Sequence, residues 1–167
     1  MATSYGTTIL SQKEIIAEQG YSEIIIPLIK VVLKESSLSV NDLSGFLVCT
    51  GPGNYTSLRV AISTVRGLAL ASGKQACGIS LFELMATEQG EVLVIIKAPA
   101  EKLYVQKFSD GLKINPPKSI SLNEIEKKKE YFDYDTIGFN ANKVGKLINC
   151  RTYSEFTRVS FNKFFKL

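Results

Sequence analysis

One stretch near the middle of the sequence constrains the fold more than any other. Gly45–Cys49 is a short continuous apolar run, typical of a strand buried on both faces. A dense turn signal follows at residues 50–55, and a helix is predicted from about 56 to 72, ended by Gly73. A second short apolar strand is predicted at residues 76–79. This order of strand, glycine turn, helix and strand is typical of an α/β protein.

The residues before this stretch predict a hairpin and a helix. The hairpin strands are predicted at residues 3–10 and 14–18. The helix is predicted at residues 22–36, with Ser22 as its N-cap. Its side chains are apolar nearly all round, so we expect it to bury two faces, one of them away from its own sheet.

The second half of the chain is also predicted to contain both strands and helices, and a boundary between two lobes is predicted near Gly90. The predicted domains are therefore residues 1–90 and 91–167. A Ser-x-x-Glu capping box opens a helix at Ser80 and another at Ser121. The predicted strands are residues 91–97, 103–108 and 136–139, and the predicted helices are residues 81–88, 121–131, 142–148 and 160–167.

Composition excludes several classes of site. The 167 residues contain no histidine, which rules out Ser-His-Asp and Cys-His catalysis and the His-Glu-x-x-His zinc site. The net charge of +4 is low for a stand-alone nucleic-acid binder. No two of the three cysteines have Cys-x-x-Cys spacing, and Cys49 and Cys77 are expected to be buried thiols in a reducing compartment. We find no apolar run long enough to cross a bilayer and no signal peptide, so a cytoplasmic location is expected.

The glycine turn carries a functional signal of its own. Glycines between a strand and a helix expose backbone N–H groups at the positive end of the helix dipole, which favours an anion. The turn lacks both the Gly-Lys-Ser/Thr of a P-loop and the Gly-x-Gly-x-x-Gly fingerprint. We therefore expect a structural turn with at most weak anion occupancy, in which Gly53 supplies a positive φ.

The two predicted helices, 22–36 and 56–72, have more apolar and small side chains than one sheet can cover. An exposed patch of that size suggests a protein partner; the alternative is that the second lobe covers both helices. On the second helix, Arg59, Ser63 and Arg66 form a polar stripe, and Ser57, Ala61, Thr64 and Ala71 place small side chains near another face.

Three motifs resemble the TsaB family, also called YeaZ. The string at residues 51–59 (Gly-Pro-Gly-Asn-Tyr-Thr-Ser-Leu-Arg) is similar to the family's Gly-Pro-Gly-Ser-Phe-Thr-Gly-Leu-Arg, and residues 66–69 (Arg-Gly-Leu-Ala) to its Lys-Gly-Leu-Ala. Residues 21–23 (Tyr-Ser-Glu) resemble the family's His-Ser-Glu, and residues 78–86 its Gly-Val-Ser-Ser-Leu-Glu-Ala-Leu-Ala. The resemblance runs from about residue 3 to 108 and is dense from 21 to 86.

The resemblance implies a fold and a role. The fold is α/β of the actin-like (sugar kinase/Hsp70) ATPase type, with two ribonuclease-H-like lobes. TsaB-like proteins are non-catalytic partners of a TsaD-type transferase, which moves a threonylcarbamoyl group onto the adenosine next to the anticodon of tRNAs. The chain would then need no cofactor, and ATP or ADP would bind only at the interface of the complex. Its partners would be the transferase and the pathway's ATPase subunit. It would contact tRNA only through the complex, and no membrane is expected. The residues expected at the partner interface are Ser22, Glu23, Ile26, Ile29, Ser57, Arg59, Ala61 and Thr64, and those of the signature turn are Gly51, Pro52, Gly53, Tyr55 and Thr56.

The sequence also departs from the family pattern. Met1 lies at or just beyond the aspartate of the family's first strand, so that strand is either absent or encoded upstream of this start. Lys97 stands where the family has an acid, and the second lobe is short. The alternatives are a glycoprotease-like peptidase, a nucleotide-dependent kinase or ATPase, a stand-alone RNA-binding module, and a homodimeric scaffold that works without TsaD.

Overall fold

The computed structural model describes residues 1–6, 8–15, 20–86 and 90–153. These residues form a mixed α/β protein and divide into two compact units, Met1–Ile79 and residues 80–153. The division into lobes at Gly90 stays a prediction. Each unit is described by itself below.

The first unit opens with a tight antiparallel hairpin. Strands β1 (Ala2–Tyr5) and β2 (Thr8–Gln12) pair so that Ala2 lies opposite Gln12. The chain reverses next to Gly6, whose φ of 55° lies in the left-handed region that glycine adopts readily.

The hairpin exists, but the sequence prediction assigned its two strands to the wrong residues. The sequence prediction merged both observed strands into residues 3–10 because it did not treat Gly6 as a turn residue. Residues 13–15, part of the predicted returning strand 14–18, have no regular secondary structure. Residues 16–18 lie outside the described residues.

Two helices follow, and both match the sequence prediction to within a residue or two. Helix α1 (Tyr21–Glu35) is preceded by Gly20 as N-cap, so Ser22 lies inside the helix and the predicted cap is wrong. Helix α2 (Tyr55–Ser72) has Asn54 as its N-cap, and the Asn54 side-chain oxygen accepts a hydrogen bond from the Ser57 backbone N–H at 3.0 Å. It ends at Gly73, as predicted.

The apolar strands on either side of α2 form a parallel pair. Strands β3 (Gly45–Cys49) and β4 (Gln75–Ile79) pair in parallel from Gly45 opposite Gln75 to Cys49 opposite Ile79. The expected burial of β3 on both faces is wrong: Gly45 is exposed and the other four residues are half-buried. Among the described residues β3 pairs only with β4, so it has one unpaired edge. For the same reason the Cys49 thiol is only half-buried, and Cys77 on β4 is exposed rather than buried.

The second unit is a six-stranded mixed sheet with helices on both faces. The order is β10-β9-β5-β6-β7, and β8 also pairs with β6. The strands are β5 (Glu91–Lys97), β6 (Leu103–Ser109), β7 (Leu112–Lys113), β8 (Lys118–Ile120), β9 (Asp135–Gly138) and β10 (Thr152–Tyr153), and the helices are α3 (Leu81–Met85), α4 (Leu122–Lys127) and α5 (Ala141–Ile148).

Strand β5 lies at the centre of this unit's core. Its five inner residues are buried and alternate between two apolar clusters. On one face Val92, Val94 and Ile96 pack in a cluster with Phe82 and Met85 of α3. On the other face Leu93 and Ile95 pack in a cluster with residues of α4 and α5, among them Ile125, Val144 and Ile148.

The predicted helix at residues 121–131 is shorter in the structure. Its Ser121 capping box is present, but α4 ends at Lys127 and a 3₁₀ turn follows at Lys129–Tyr131. The break places the Tyr131 ring in the core with no exposed surface, and burial of so large a ring outweighs continuation of a charged helix. The helix predicted at 160–167 lies outside the described residues, and so do residues 87 and 88 of the helix predicted at 81–88. A second 3₁₀ turn occupies Val40–Asp42 in the first unit.

Candidate partner interface

Hydrogen bonds from Thr50 join the start of the signature turn to the last residue of β4. The Thr50 backbone N–H and hydroxyl both donate to the Ile79 carbonyl, at 2.8 and 3.1 Å. Gly51 is buried and has a φ of 100°, so it and not Gly53 supplies the positive φ of the turn. The expectation for Gly53 is wrong because the left-handed backbone lies on the other side of Pro52, at Gly51.

The side of α2 that faces solvent is lined by basic and apolar side chains. Leu70 is 86% exposed and Tyr55 is 65% exposed. The Arg59 guanidinium lies 4.1 Å from the centroid of the Tyr55 ring, one helical turn away. The helix contains no acidic residue. Its exposed residues with side chains on this side are Tyr55, Arg59, Ser63, Arg66 and Leu70.

Helix α1 contacts α2 and also has an outer side of mixed character. Ile26 is 40% exposed and Val31 is 43% exposed, and Lys30 and Lys34 are exposed beside them. From the exposed residues of the two contacting helices we define the α1–α2 face as Glu23, Ile26, Lys30, Val31 and Lys34 of α1, with Tyr55, Arg59, Ser63, Arg66 and Leu70 of α2.

The end of α1 is fastened to the hairpin by polar contacts. The Glu35 carboxylate accepts a hydrogen bond from the Ser11 hydroxyl at 2.8 Å and lies 2.8 Å from the Lys13 ammonium. Hydrogen bonds from Lys13 and then Ser11 lower the pKa of Glu35. The Thr3 and Ser36 hydroxyls are also hydrogen-bonded to each other. These contacts fix the register of α1 on β1 and β2.

The residues expected at the partner interface divide into two groups. Exposed in the structure are Ser22, Glu23, Ile26 and Arg59; half-buried are Ile29, Ser57, Ala61 and Thr64.

The most exposed part of α2 is therefore the polar stripe, and the half-buried Ser57, Ala61 and Thr64 lie roughly 140–160° around the helix from Arg59. Leu70 belongs to this stripe and was missed by the sequence reasoning. A signal was available: eleven residues after Arg59, Leu70 falls on the same side of a helix with 3.6 residues per turn.

The described residues of the two units offer little reactive chemistry. Burial raises the pKa values of the Cys49 and Cys150 thiols, which disfavours the nucleophilic thiolate. No group of three or more Cys, Asp or Glu side chains in the described ranges is arranged to hold a metal ion. In the same ranges no helix is long and apolar enough to cross a membrane.

Comparison with known proteins decides the family. The model of the TsaD family, described as tRNA N6-adenosine threonylcarbamoyltransferase, matches residues 6–142. The chain belongs to this family. The match extends past residue 108, where the motif resemblance ended, and so covers β9 and the start of α5.

Similar proteins place the chain with the TsaB (YeaZ), glycoprotease-like members of the family. It is 29% identical over 91 residues to a tRNA threonylcarbamoyladenosine biosynthesis protein TsaB of Buchnera aphidicola, covering 51% of this chain and 41% of that protein. It is 32% identical over 65 residues to a tRNA N6-adenosine threonylcarbamoyltransferase of Tropheryma whipplei, covering 39% of this chain and 16% of that one. Among solved structures, YeaZ from Pseudomonas aeruginosa matches with a TM-score of 0.60 and 20% identity, over 71% of this chain and 60% of that one.

These matches confirm the family inferred from the three motifs. The mixed α/β fold with its YeaZ neighbour fits the TsaD-like, actin-like ATPase fold. The chain spans about half or less of the length of the curated relatives it matches.

Proposed function

We propose that this chain is a non-catalytic subunit in the biosynthesis of threonylcarbamoyladenosine in tRNA. It acts by binding a TsaD-type transferase through the α1–α2 face. The observation that carries the proposal is the exposed stripe of α2, where Leu70 is 86% exposed beside Arg66 and Arg59. The name TsaB on similar proteins supports the pathway.

Exposed aliphatic side chains favour a protein as the occupant of this face. Leu70, Ile26 and Val31 each expose 40% or more of their surface on two helices that contact each other. A cluster of exposed apolar residues rimmed by charges is characteristic of a protein interaction site.

The proposed role requires no cofactor on this chain. ATP or ADP would bind only at the interface with the transferase, and tRNA would be reached through the complex, which also includes the pathway's ATPase subunit. The absence of histidine and the raised pKa values of Cys49 and Cys150 support a binding role over a catalytic one. We propose a cytoplasmic location, the one expected for a subunit of a tRNA-modifying complex.

We further propose that the two units correspond to ribonuclease-H-like lobes, the first with an incomplete sheet and the second short. The support lies in the first unit, where β1–β2 and β3–β4 form separate two-stranded sheets among the described residues.

Reconstitution tests the proposed function. The full chain is added to the purified transferase, the ATPase subunit, threonylcarbamoyl-adenylate and tRNA, and the modified adenosine is measured by mass spectrometry. We expect the wild type to stimulate modification and Leu70→Glu to abolish that stimulation. Leu112→Glu is the matched control, since Leu112 is 73% exposed on β7 of the other unit.

Two results would overturn the proposal. One is threonylcarbamoyl transfer by the purified chain without the transferase. The other is stimulation by Leu70→Glu equal to that of the wild type, which would show that the α1–α2 face is not used.

A further inference from the structure

The two units bury very different numbers of apolar side chains, although their described parts are of similar length. All but four of the buried hydrophobic residues belong to the second unit. The four in the first unit are Val32, Leu33, Ala69 and Ile79. The described residues of the first unit therefore leave much of its apolar surface short of full burial.

One such surface is a face of the β3–β4 sheet. The two strands are parallel, and α2, which connects them, packs against both. A helix covers only one face of a sheet, and α2 is the one helix among the described residues with more than marginal contact to these strands. Parallel sheets are usually covered on both faces, so the face opposite α2 needs a second cover.

The side chains of β3 show that both faces of this sheet are apolar. Successive residues of a strand point to opposite faces, so Phe46 and Val48 lie on one face and Leu47 and Cys49 on the other. All four are half-buried. Whichever pair contacts α2, the other pair places two incompletely buried apolar side chains on the opposite face.

The last fourteen residues of the chain, which lie outside the described residues, are rich in large apolar side chains. Residues 154–167 contain four of the nine phenylalanines. The helix that the sequence predicts at 160–167 would place Phe161, Phe164 and Phe165 on one side. Its length, about 12 Å, is comparable with the roughly 17 Å of the five-residue strand β3. A helix this short is unstable in water by itself and needs an apolar surface to pack against.

We propose that residues 160–167 dock as a helix on the face of the β3–β4 sheet opposite α2, so that the chain covers its own sheet. The second unit offers less room for such a helix, because apolar clusters already cover both faces of β5. Residues 154–159, which follow β10, can span up to about 20 Å as the connection. The inference is independent of the proposed function, since it needs no second protein.

Hydrogen exchange in the full chain tests the contact. Phe161→Ala combined with Phe164→Ala removes most of the apolar side of the predicted helix and keeps its helix propensity. We expect peptides that cover residues 45–49 and 75–79 to exchange about tenfold faster or more than in the wild type. Exchange of a peptide that covers residues 91–97 should be unchanged.

A matched control lies on the opposite side of the predicted helix. Lys163→Ala changes a residue about 200° around the helix from Phe161 and should exchange as the wild type does. Equal exchange of residues 45–49 in the double variant and the wild type would overturn the proposal. Faster exchange confined to the second unit would overturn it as well.

Photo-cross-linking locates the segment without removing a large side chain. Benzophenone-alanine replaces Phe164 in the full chain, and the products of irradiation are mapped by mass spectrometry. We expect cross-links to β3 or β4 of the same chain. Cross-links to other elements only would contradict the proposed site. Covalent dimers in their place would identify a second copy of the chain as the occupant and would also overturn the proposal.

Discussion

At the scale of single residues, the signature turn depends on Gly51. Its φ of 100° lies in a region that residues with a side chain rarely adopt, and a Cβ there would lie 2.8 Å from a methyl carbon of Leu58. Gly53, two residues on, has an ordinary backbone, and a Cβ there would make only normal contacts of 3.7 Å or more with Leu58. The two glycines of one motif therefore have different roles.

Substitution of these glycines should show the difference. Gly51→Ala is expected to lower the free energy of unfolding by roughly 1–3 kcal/mol through backbone strain. Gly53→Ala should change it much less, since alanine fits there and restricts the unfolded chain. Urea denaturation followed by circular dichroism measures both. Equal losses in the two variants would contradict the assignment of the positive φ to Gly51.

The residue scale also shows what the sequence could predict of the site. The stripe of Arg59, Ser63 and Arg66 followed from helical periodicity alone, and the structure exposes all three. The half-burial of Ala61 and Thr64 did not follow, because it depends on how α2 lies against β3 and β4. The sequence also could not show which of Gly51 and Gly53 has the left-handed backbone conformation. That depends on where β3 and β4 end, and the local composition does not determine it.

At the scale of elements, local sequence signals predicted several strand and helix boundaries correctly. The errors occur where a turn or a tertiary contact ends an element. The Gly45–Cys49 strand and the end of α2 at Gly73 agree with the sequence prediction because a glycine marks each limit. The N-terminal hairpin was misplaced because the reversal next to Gly6 was not weighed. The helix at 121–131 was overextended because burial of Tyr131 requires a break that charged residues do not signal.

The junction between the hairpin and α1 should make stability depend on pH. The pKa of Glu35 lies below its ordinary value of 4.5, mainly through the Lys13 hydrogen bond. Its contribution to stability is therefore present above pH 4.5 and is lost as the pH falls through the lowered folded-state pKa. We expect Glu35→Gln to lower the urea midpoint at neutral pH, and the difference from wild type to disappear at an acid pH below the folded-state pKa.

A carboxylate without such contacts provides the control for this measurement. Glu126 is exposed on α4, and no hydrogen bond or ion pair involves it within the described ranges. Glu126→Gln should leave the urea midpoint close to that of the wild type at both pH values. A Glu35→Gln deficit that persists unchanged in acid would show that the carboxylate charge is not what fastens α1 to the hairpin.

At the scale of the whole molecule, the two units bury their strands very differently. All five inner residues of β5 are buried, and two apolar clusters pack against its two faces. Of the ten residues in β3 and β4, only Ile79 is buried. Backbone hydrogen bonds that are shielded by packed side chains open less often than those near solvent.

Hydrogen exchange should report this contrast. Amides of β5 and β6 are expected to exchange slowest, and those of β3 and β4 at least about tenfold faster, since a difference of 1.4 kcal/mol in opening free energy is a factor of ten. Mass spectrometry of peptides that cover residues 45–49 and 91–97 makes the comparison in one sample. Equal protection of the two peptides would contradict the difference in packing. Addition of the transferase should slow exchange in α2 if the α1–α2 face is occupied.

Among the described residues β3 has one unpaired edge, which has a consequence for the lifetime of the chain on its own. Its residues Gly45–Cys49 contain neither lysine nor proline, the residues that usually keep an edge strand from templating fibrils. A cell that makes this chain in excess of the proposed partner would hold a pool prone to aggregation and to capture by chaperones and proteases. If the proposed function holds, the amounts of the chain and of that partner would have to be matched.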